Sequence, residues 1–109
     1  MRIEGVPFTA VDWSQVPETT HPGETGTAFW RTIQLGPIRV RTVRYSPGYR
    51  ADHWCAKGHI LLVLEGELVT ELLDGRLVRL TRGMSYQVAD DNVPHRSRTD
   101  LGARLFVVD

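Results

Sequence analysis

From residue 28 onward, turn residues recur about every nine positions, and that spacing restricts the chain to short strands. The β-favouring runs are AFWRTIQL (28–35), IRVRTVRY (38–45), YRADHWC (49–55), HILLVL (59–64), ELVTELL (67–73), RLVRL (76–80), MSYQV (84–88), PHRSRT (94–99) and ARLFVV (103–108). Gly36-Pro37, Ser46-Pro47-Gly48, Lys57-Gly58, Glu65-Gly66 and Asp74-Gly75 separate the first six. Asp-Gly between two apolar runs is a strong hairpin signal. No segment keeps a helical period over three turns, so the spacing predicts an all-β sandwich or barrel.

HILLVL is apolar on both strand faces. A strand with one face in water should alternate. One face is therefore expected to meet the interior, and the other the N-terminal arm, a second sheet or a second subunit.

Residues 1–27 read as that arm, and 28–109 as one β domain. Pro7, Pro17 and Pro22, with Gly23 and Gly26, break regular structure in the arm. It nevertheless carries Val6, Phe8, Val11, Trp13 and Val16, which need cover. The arm is expected to pack on the β body or on a partner, and a homodimer is expected because apolar patches of this kind mark interfaces.

At 109 residues the chain has the length of one domain and enough core to fold without a metal or disulfide. Its net charge of zero argues against nucleic-acid binding, which relies on a basic surplus. Twelve of its thirteen basic residues are Arg, with Lys57 the exception. Arg39 and Arg41 share one strand face, as do Arg96 and Arg98, and solvated ion pairs account for them. One cysteine cannot form an internal disulfide. The opening MRIEGVPFTA has no apolar run of signal-peptide length, and no run approaches the ~18 apolar residues of a membrane span. A cytoplasmic protein is the expectation.

The chemistry concentrates in DHWCAKGH, residues 52–59, which gathers His53, Cys55 and His59. In a strand, residues i and i+2 share a face, so His53 and Cys55 are expected to project together, with Asp52 and Trp54 opposite. Asp52 is expected to pair with an Arg. His59 would begin the next strand, and His95 starts another. Imidazole and thiolate together suit Zn²⁺, Cu, Fe or Ni. The alternative is a set of separately satisfied side chains with Cys55 as a small core hydrophobe. Tyr45, Tyr49 and Tyr86 lie on strands that would line or flank the same cavity. His21, in the loop TTHPGETG, reads as solvated. Asp90-Asp91 reads as a turn.

These residues resemble the two motifs of the cupin superfamily. The first motif, G-x₅-H-x-H-x₃₋₄-E-x₆-G, is matched by GYRADHWCAKGHILLVLEG, Gly48 to Gly66, with one residue fewer before His53. His53 takes the first histidine position, Cys55 the second, and His59 the glutamate position. The second motif, G-x₅₋₇-P-x-G-x₂-H-x₃-N, is matched by GMSYQVADDNVPHRSRT, with His95 on the histidine and Asp90, Asn92 and Thr99 replacing proline, glycine and asparagine. More narrowly, DHWC with HPGETG and SYQVADD resembles the DHCW-motif cupins. The resemblance implies a double-stranded β-helix, or jelly-roll barrel, with one divalent ion per chain held by His53, Cys55, His59 and His95. Zn is slightly preferred over Fe, Ni or Cu. It also implies a small-molecule ligand and a homodimer. Three functions follow from it: metal-dependent chemistry of dioxygenase or isomerase type, a non-catalytic binding module, or a structural Zn²⁺ site.

Overall fold

A computed structural model describes residues 2–109. After a short 3₁₀ turn at Trp13–Gln15, the chain forms eight strands: β1 (Glu18–Pro22), β2 (Thr27–Leu35), β3 (Ile38–Tyr45), β4 (His59–Leu72), β5 (Leu77–Thr81), β6 (Ser85–Val88), β7 (His95–Arg98) and β8 (Ala103–Val108). Every strand pairing is antiparallel. The hydrogen-bonded order runs β1-β2-β3-β8-β4-β5, and β6 and β7 also pair with β4.

The alternation written in the sequence sets which face is buried. Val43, Leu61, Val63, Leu68, Leu80, Ala103, Leu105 and Val107 form the core, each flanked along its strand by residues facing outward. HILLVL divides as a two-faced strand must. Leu61 and Val63 are buried, whereas Ile60 and Leu64 on the other face are exposed. On that outer side Leu62 sits opposite Phe106, and Trp13 of the arm packs edge-on against Phe106 at 6.3 Å between ring centroids. The Arg31 guanidinium holds the arm there by donating to the carbonyls of Trp13, Ser14 and Val16.

The structure departs from the sequence expectation in three places. Glu65-Gly66 does not reverse the chain: HILLVL and ELVTELL are one fourteen-residue strand, β4. The two residues mark a bend, where the pairing with β8 shifts register between Val63 and Glu65. Gly66 has φ +79, and a Cβ there would run into the Gly102 carbonyl, so only glycine fits the bend. The segment 49–55 is not a strand, because its β-pairing is limited to isolated bridges, Arg50 to Thr25 and Arg98, and Cys55 to His95. Residues 18–22 of the arm, read as irregular, pair with β2 as β1. The Asp74-Gly75 hairpin is as expected: Gly75 N–H donates to Leu72 O, and the Asp74 carboxylate accepts from Arg76 N–H.

Candidate metal centre and its cavity

The bend in β4 positions the site. His59 is the first residue of that strand, and His95, at the start of β7, pairs with Leu72, the last. Both ends of one strand therefore supply the cluster. Cys55 is fixed from the other side by a two-bond bridge to His95, N···O 2.7 and 2.9 Å. The run between Cys55 and His59 is pinned to the turn before β7. Gly58 N–H donates to the Asp90 carboxylate at 2.6 Å, and Asp91 N–H donates to Ala56 O at 2.8 Å.

The ligand atoms of Cys55, His59 and His95 lie within 4.8 Å of one another. His59 Nε2 and His95 Nε2 are 3.2 Å apart, with the rings nearly perpendicular. Two nitrogens bound tetrahedrally to one Zn²⁺ at about 2.0–2.1 Å would stand about 3.3 Å apart, so the spacing fits a shared ion. His95 Nδ1 lies 2.9 Å from the Val93 carbonyl, which can only accept. His95 Nδ1 therefore carries a proton, and Nε2 is the ring nitrogen turned toward His59. A backbone carbonyl holding the far ring nitrogen is the usual support of a ligating histidine. Burial, and then the neighbouring His95, lowers the His59 pKa to about 4, so its ring is neutral at pH 7. The donor set fits a transition ion.

His53 is not part of this cluster. Its side chain is 76% exposed, and its Nδ1 is tied to the Asp52 carboxylate at 2.6 Å. Asp52 and His53 form a bend, so the i, i+2 alternation expected of a strand does not operate there. Asp52 pairs with His53 and not with an Arg. His21, expected in a solvated loop, lies on β1 with its ring stacked on Trp30 at 3.7 Å.

The cluster lies on the wall of a cavity of about 290 Å³ that is also lined by Tyr45, Tyr49 and Tyr86, and by His53. Tyr45 and Tyr49 stack at 4.1 Å. The Tyr86 hydroxyl stands 2.8 Å from His59 Nε2, and burial pushes its pKa up, so it keeps its proton.

The sequence did not reveal a charged group in the same lining. Arg39 donates to both oxygens of Asp109, Nε to Oδ1 at 2.8 Å and a terminal nitrogen to Oδ2 at 2.9 Å. Arg41 donates to Oδ2 at 3.0 Å. Arg41 is buried and Asp109's side chain is 1% exposed, so these are not the solvated pairs expected of this strand. A signal was available: Arg39 and Arg41 alternate in phase with Val43 and Tyr45, whose face turns inward. Arg96 does pair with a glutamate, Glu71, and also covers the Trp54 ring.

No protein-family model matches the chain, and no curated protein matches it in sequence. Solved structures do. A predicted oxalate decarboxylase from Thermotoga maritima is 15% identical with a TM-score of 0.77, covering 92% of this chain and 96% of that one. An RmlC-like cupin from Shewanella frigidimarina is 18% identical with a TM-score of 0.72, covering 95% of this chain and 91% of that one. A sugar phosphate isomerase from a cupin superfamily, of Silicibacter pomeroyi, is 19% identical with a TM-score of 0.71, covering 92% of this chain and 74% of that one. At these identities the likeness is one of fold, and the chain has a cupin fold.

Proposed function

We propose that the chain is a mononuclear metal protein that acts on a small molecule in the cavity. Cys55 Sγ, His59 Nε2 and His95 Nε2 would hold one divalent ion, with Zn preferred and Fe, Ni or Cu also suited to thiolate and imidazole. The observation that carries this is the convergence of three ligand atoms within 4.8 Å on the wall of a cavity. A bound ion would supply Lewis-acid polarisation of an oxygen on the small molecule, which suits isomerase- or dioxygenase-type chemistry. His95 is oriented for ligation by the Val93 carbonyl. The Tyr86 hydroxyl lies 2.8 Å from His59 Nε2; with that nitrogen on an ion, its O–H would be free to donate to a molecule in the cavity.

Three protein ligands favour this over a structural Zn²⁺ site, which is normally closed by four. His53 would have to leave Asp52 to complete such a shell. A non-catalytic binding module would use the same cavity and ligands without turnover. The similar solved structures include proteins described as a predicted oxalate decarboxylase and a sugar phosphate isomerase, descriptions that support a small-molecule reading of this fold.

The test is elemental analysis of protein purified without added metal. The expected result is about one equivalent of a transition ion per chain. A Co²⁺-substituted form should show a thiolate-to-cobalt charge-transfer band that Cys55→Ser abolishes. Failure to retain Zn²⁺, Fe²⁺, Ni²⁺ or Cu²⁺ after loading and desalting would overturn the proposal.

The remaining features belong to the same proposal. The sheet closes as a jelly-roll barrel over residues 28–109, and 1–27 form an arm that packs on it through Trp13 and adds β1 to its edge, in a chain that resembles the DHCW-motif cupins. A single ligating thiol suits a reducing cytoplasm, and among the described residues no helix is long and apolar enough to cross a membrane. The exposed Ile60 and Leu64 on β4 are the face through which a homodimer would form. Light scattering should give twice the chain mass, and Ile60→Lys should return it to one.

A further inference from the structure

The lining of this cavity carries an unmet hydrogen bond. Arg41 is 7% exposed, and its Nε is buried with no partner. A buried donor left unpaired costs about 1–3 kcal/mol, and more when charged. One of its terminal nitrogens is used by Asp109. The flat face of the guanidinium is covered by Trp30, 4.3 Å from the ring centroid. Arg41 also lines the cavity, so its guanidinium stands within reach of a molecule bound there.

The charge of the lining points the same way. Arg39, Arg41, Lys57 and Arg96 line the cavity against one carboxylate, Asp109. Glu71, outside the lining, takes Arg96. The pKa of Asp109 lies below its ordinary value although burial pushes it up, because the bond from Arg39 and the charges of Arg41 and Lys57 outweigh burial. The lining therefore keeps a positive excess after its internal pairs are counted.

We propose that the cavity binds a small carboxylate on the Arg41 guanidinium, within the lining that also carries Cys55, His59 and His95. A carboxylate is the anion that fits, because two coplanar oxygens match a guanidinium edge. Asp109 already shows this geometry on Arg39. A cavity of about 290 Å³ lies at the small end of ligand sites, which run from about 300 to 1,000 Å³, so the molecule is a small acid. This names the ligand class of the site proposed above. It rests on that reading for the reaction, but binding itself needs only the arginine wall.

The experiment titrates sodium pyruvate into metal-stripped and Zn²⁺-loaded wild type by calorimetry, at constant ionic strength. Pyruvamide, the neutral analogue, and inorganic phosphate are titrated alongside. Pyruvate should bind saturably to both protein forms, pyruvamide at least tenfold more weakly, and phosphate more weakly than pyruvate. Arg41→Lys, which keeps the charge but removes the edge, should weaken pyruvate at least tenfold while Zn²⁺ affinity stays unchanged. If that variant does not fold, the wild type still decides: an arginine Nε–H resonance must shift with pyruvate and not with pyruvamide. Equal binding of pyruvamide, tighter binding of phosphate, or no Nε–H shift would overturn the proposal. Pyruvate binding to a protein that retains no metal would sink the metal reading and leave this one standing.

Discussion

His59 and His95 face each other Nε2 to Nε2 at 3.2 Å, although they stand thirty-six positions apart in sequence. With His95 protonated on Nδ1, two nitrogen lone pairs confront one another unless a proton or a metal lies between them. Cys55 completes the triangle. Replacing any of these three with a non-ligand should remove tight binding. His59→Ala, His95→Ala and Cys55→Ser should each weaken Zn²⁺ by at least about 100-fold, since loss of even an outer supporting group costs about 10–100-fold. His53→Ala should change it by less than about threefold, because its ring is exposed and committed to Asp52. Competition with a zinc-sensitive dye measures all four, and a large loss in His53→Ala would show that His53 swings in as a ligand.

The low pKa of His59 gives the metal-free protein a defined acid sensitivity. In the unfolded chain this ring protonates near pH 6.5; in the folded chain burial and His95 hold it neutral until about pH 4. Between those values the unfolded state binds more protons, so stability falls as pH falls and the loss is complete below about 4. Above pH 6.5 the ring is neutral in both states and contributes nothing. Urea midpoints of metal-free wild type should decline from pH 6.5 to 4, and His59→Gln should flatten part of that slope. An unchanged slope in the variant would place the sensitivity elsewhere.

Asp109 is held by two arginines, with its side chain 1% exposed. Removing one partner of a buried pair leaves a charge uncompensated, at about 3–5 kcal/mol. Asp109→Ala should therefore destabilise the protein by about 3 kcal/mol, because Arg41 stays buried while Arg39, 28% exposed in its side chain, can turn toward solvent. Arg39→Ala should cost distinctly less than Asp109→Ala. Chemical denaturation of the two variants gives the comparison, and equal losses would mean that Arg39 carries the pair.

How much of this was legible in the sequence depends on whether a residue sits in a ladder. IRVRTVRY and ARLFVV alternate, and β3 and β8 pair as the alternation requires, with Val43 opposite Leu105 in the core. His59 and His95 were legible because each begins a strand. His53 lines the same cavity but stands outside the three-residue cluster, because the alternation argument presumes a continuous ladder and residues 49–55 bridge their neighbours only at Arg50 and Cys55. The Glu65-Gly66 bend has the same composition as a reversing turn, and only its pairing with β8 distinguishes them. Arg39 and Arg41 were read as surface because they are charged, although their phase with Val43 said otherwise. Their partner, Asp109, is about seventy positions away, and no local pattern announces a pairing at that separation.

The last prediction separates folding from metal. In small zinc domains the ion drives folding because almost no core exists. Here Leu61, Val63, Leu68, Leu80, Leu105 and Val107 are all at most 3% exposed and pack as one cluster across β4, β5 and β8. At roughly 25 cal/mol per Å² of apolar surface buried, such a core supplies the main driving force, and a bound ion adds only through linkage. The metal cluster sits at the edge of that core, on residues whose backbones are held by bridges of their own, Cys55 to His95 and His95 to Leu72. Stripping the metal with a chelator at room temperature should therefore leave the β-sheet circular dichroism unchanged and the melt cooperative, with a lowered midpoint. His95→Ala, without metal, should behave the same way apart from the cost of its own cavity. Unfolding of the wild type by chelator alone would mean that the ion, and not the core, holds β4 in its bend.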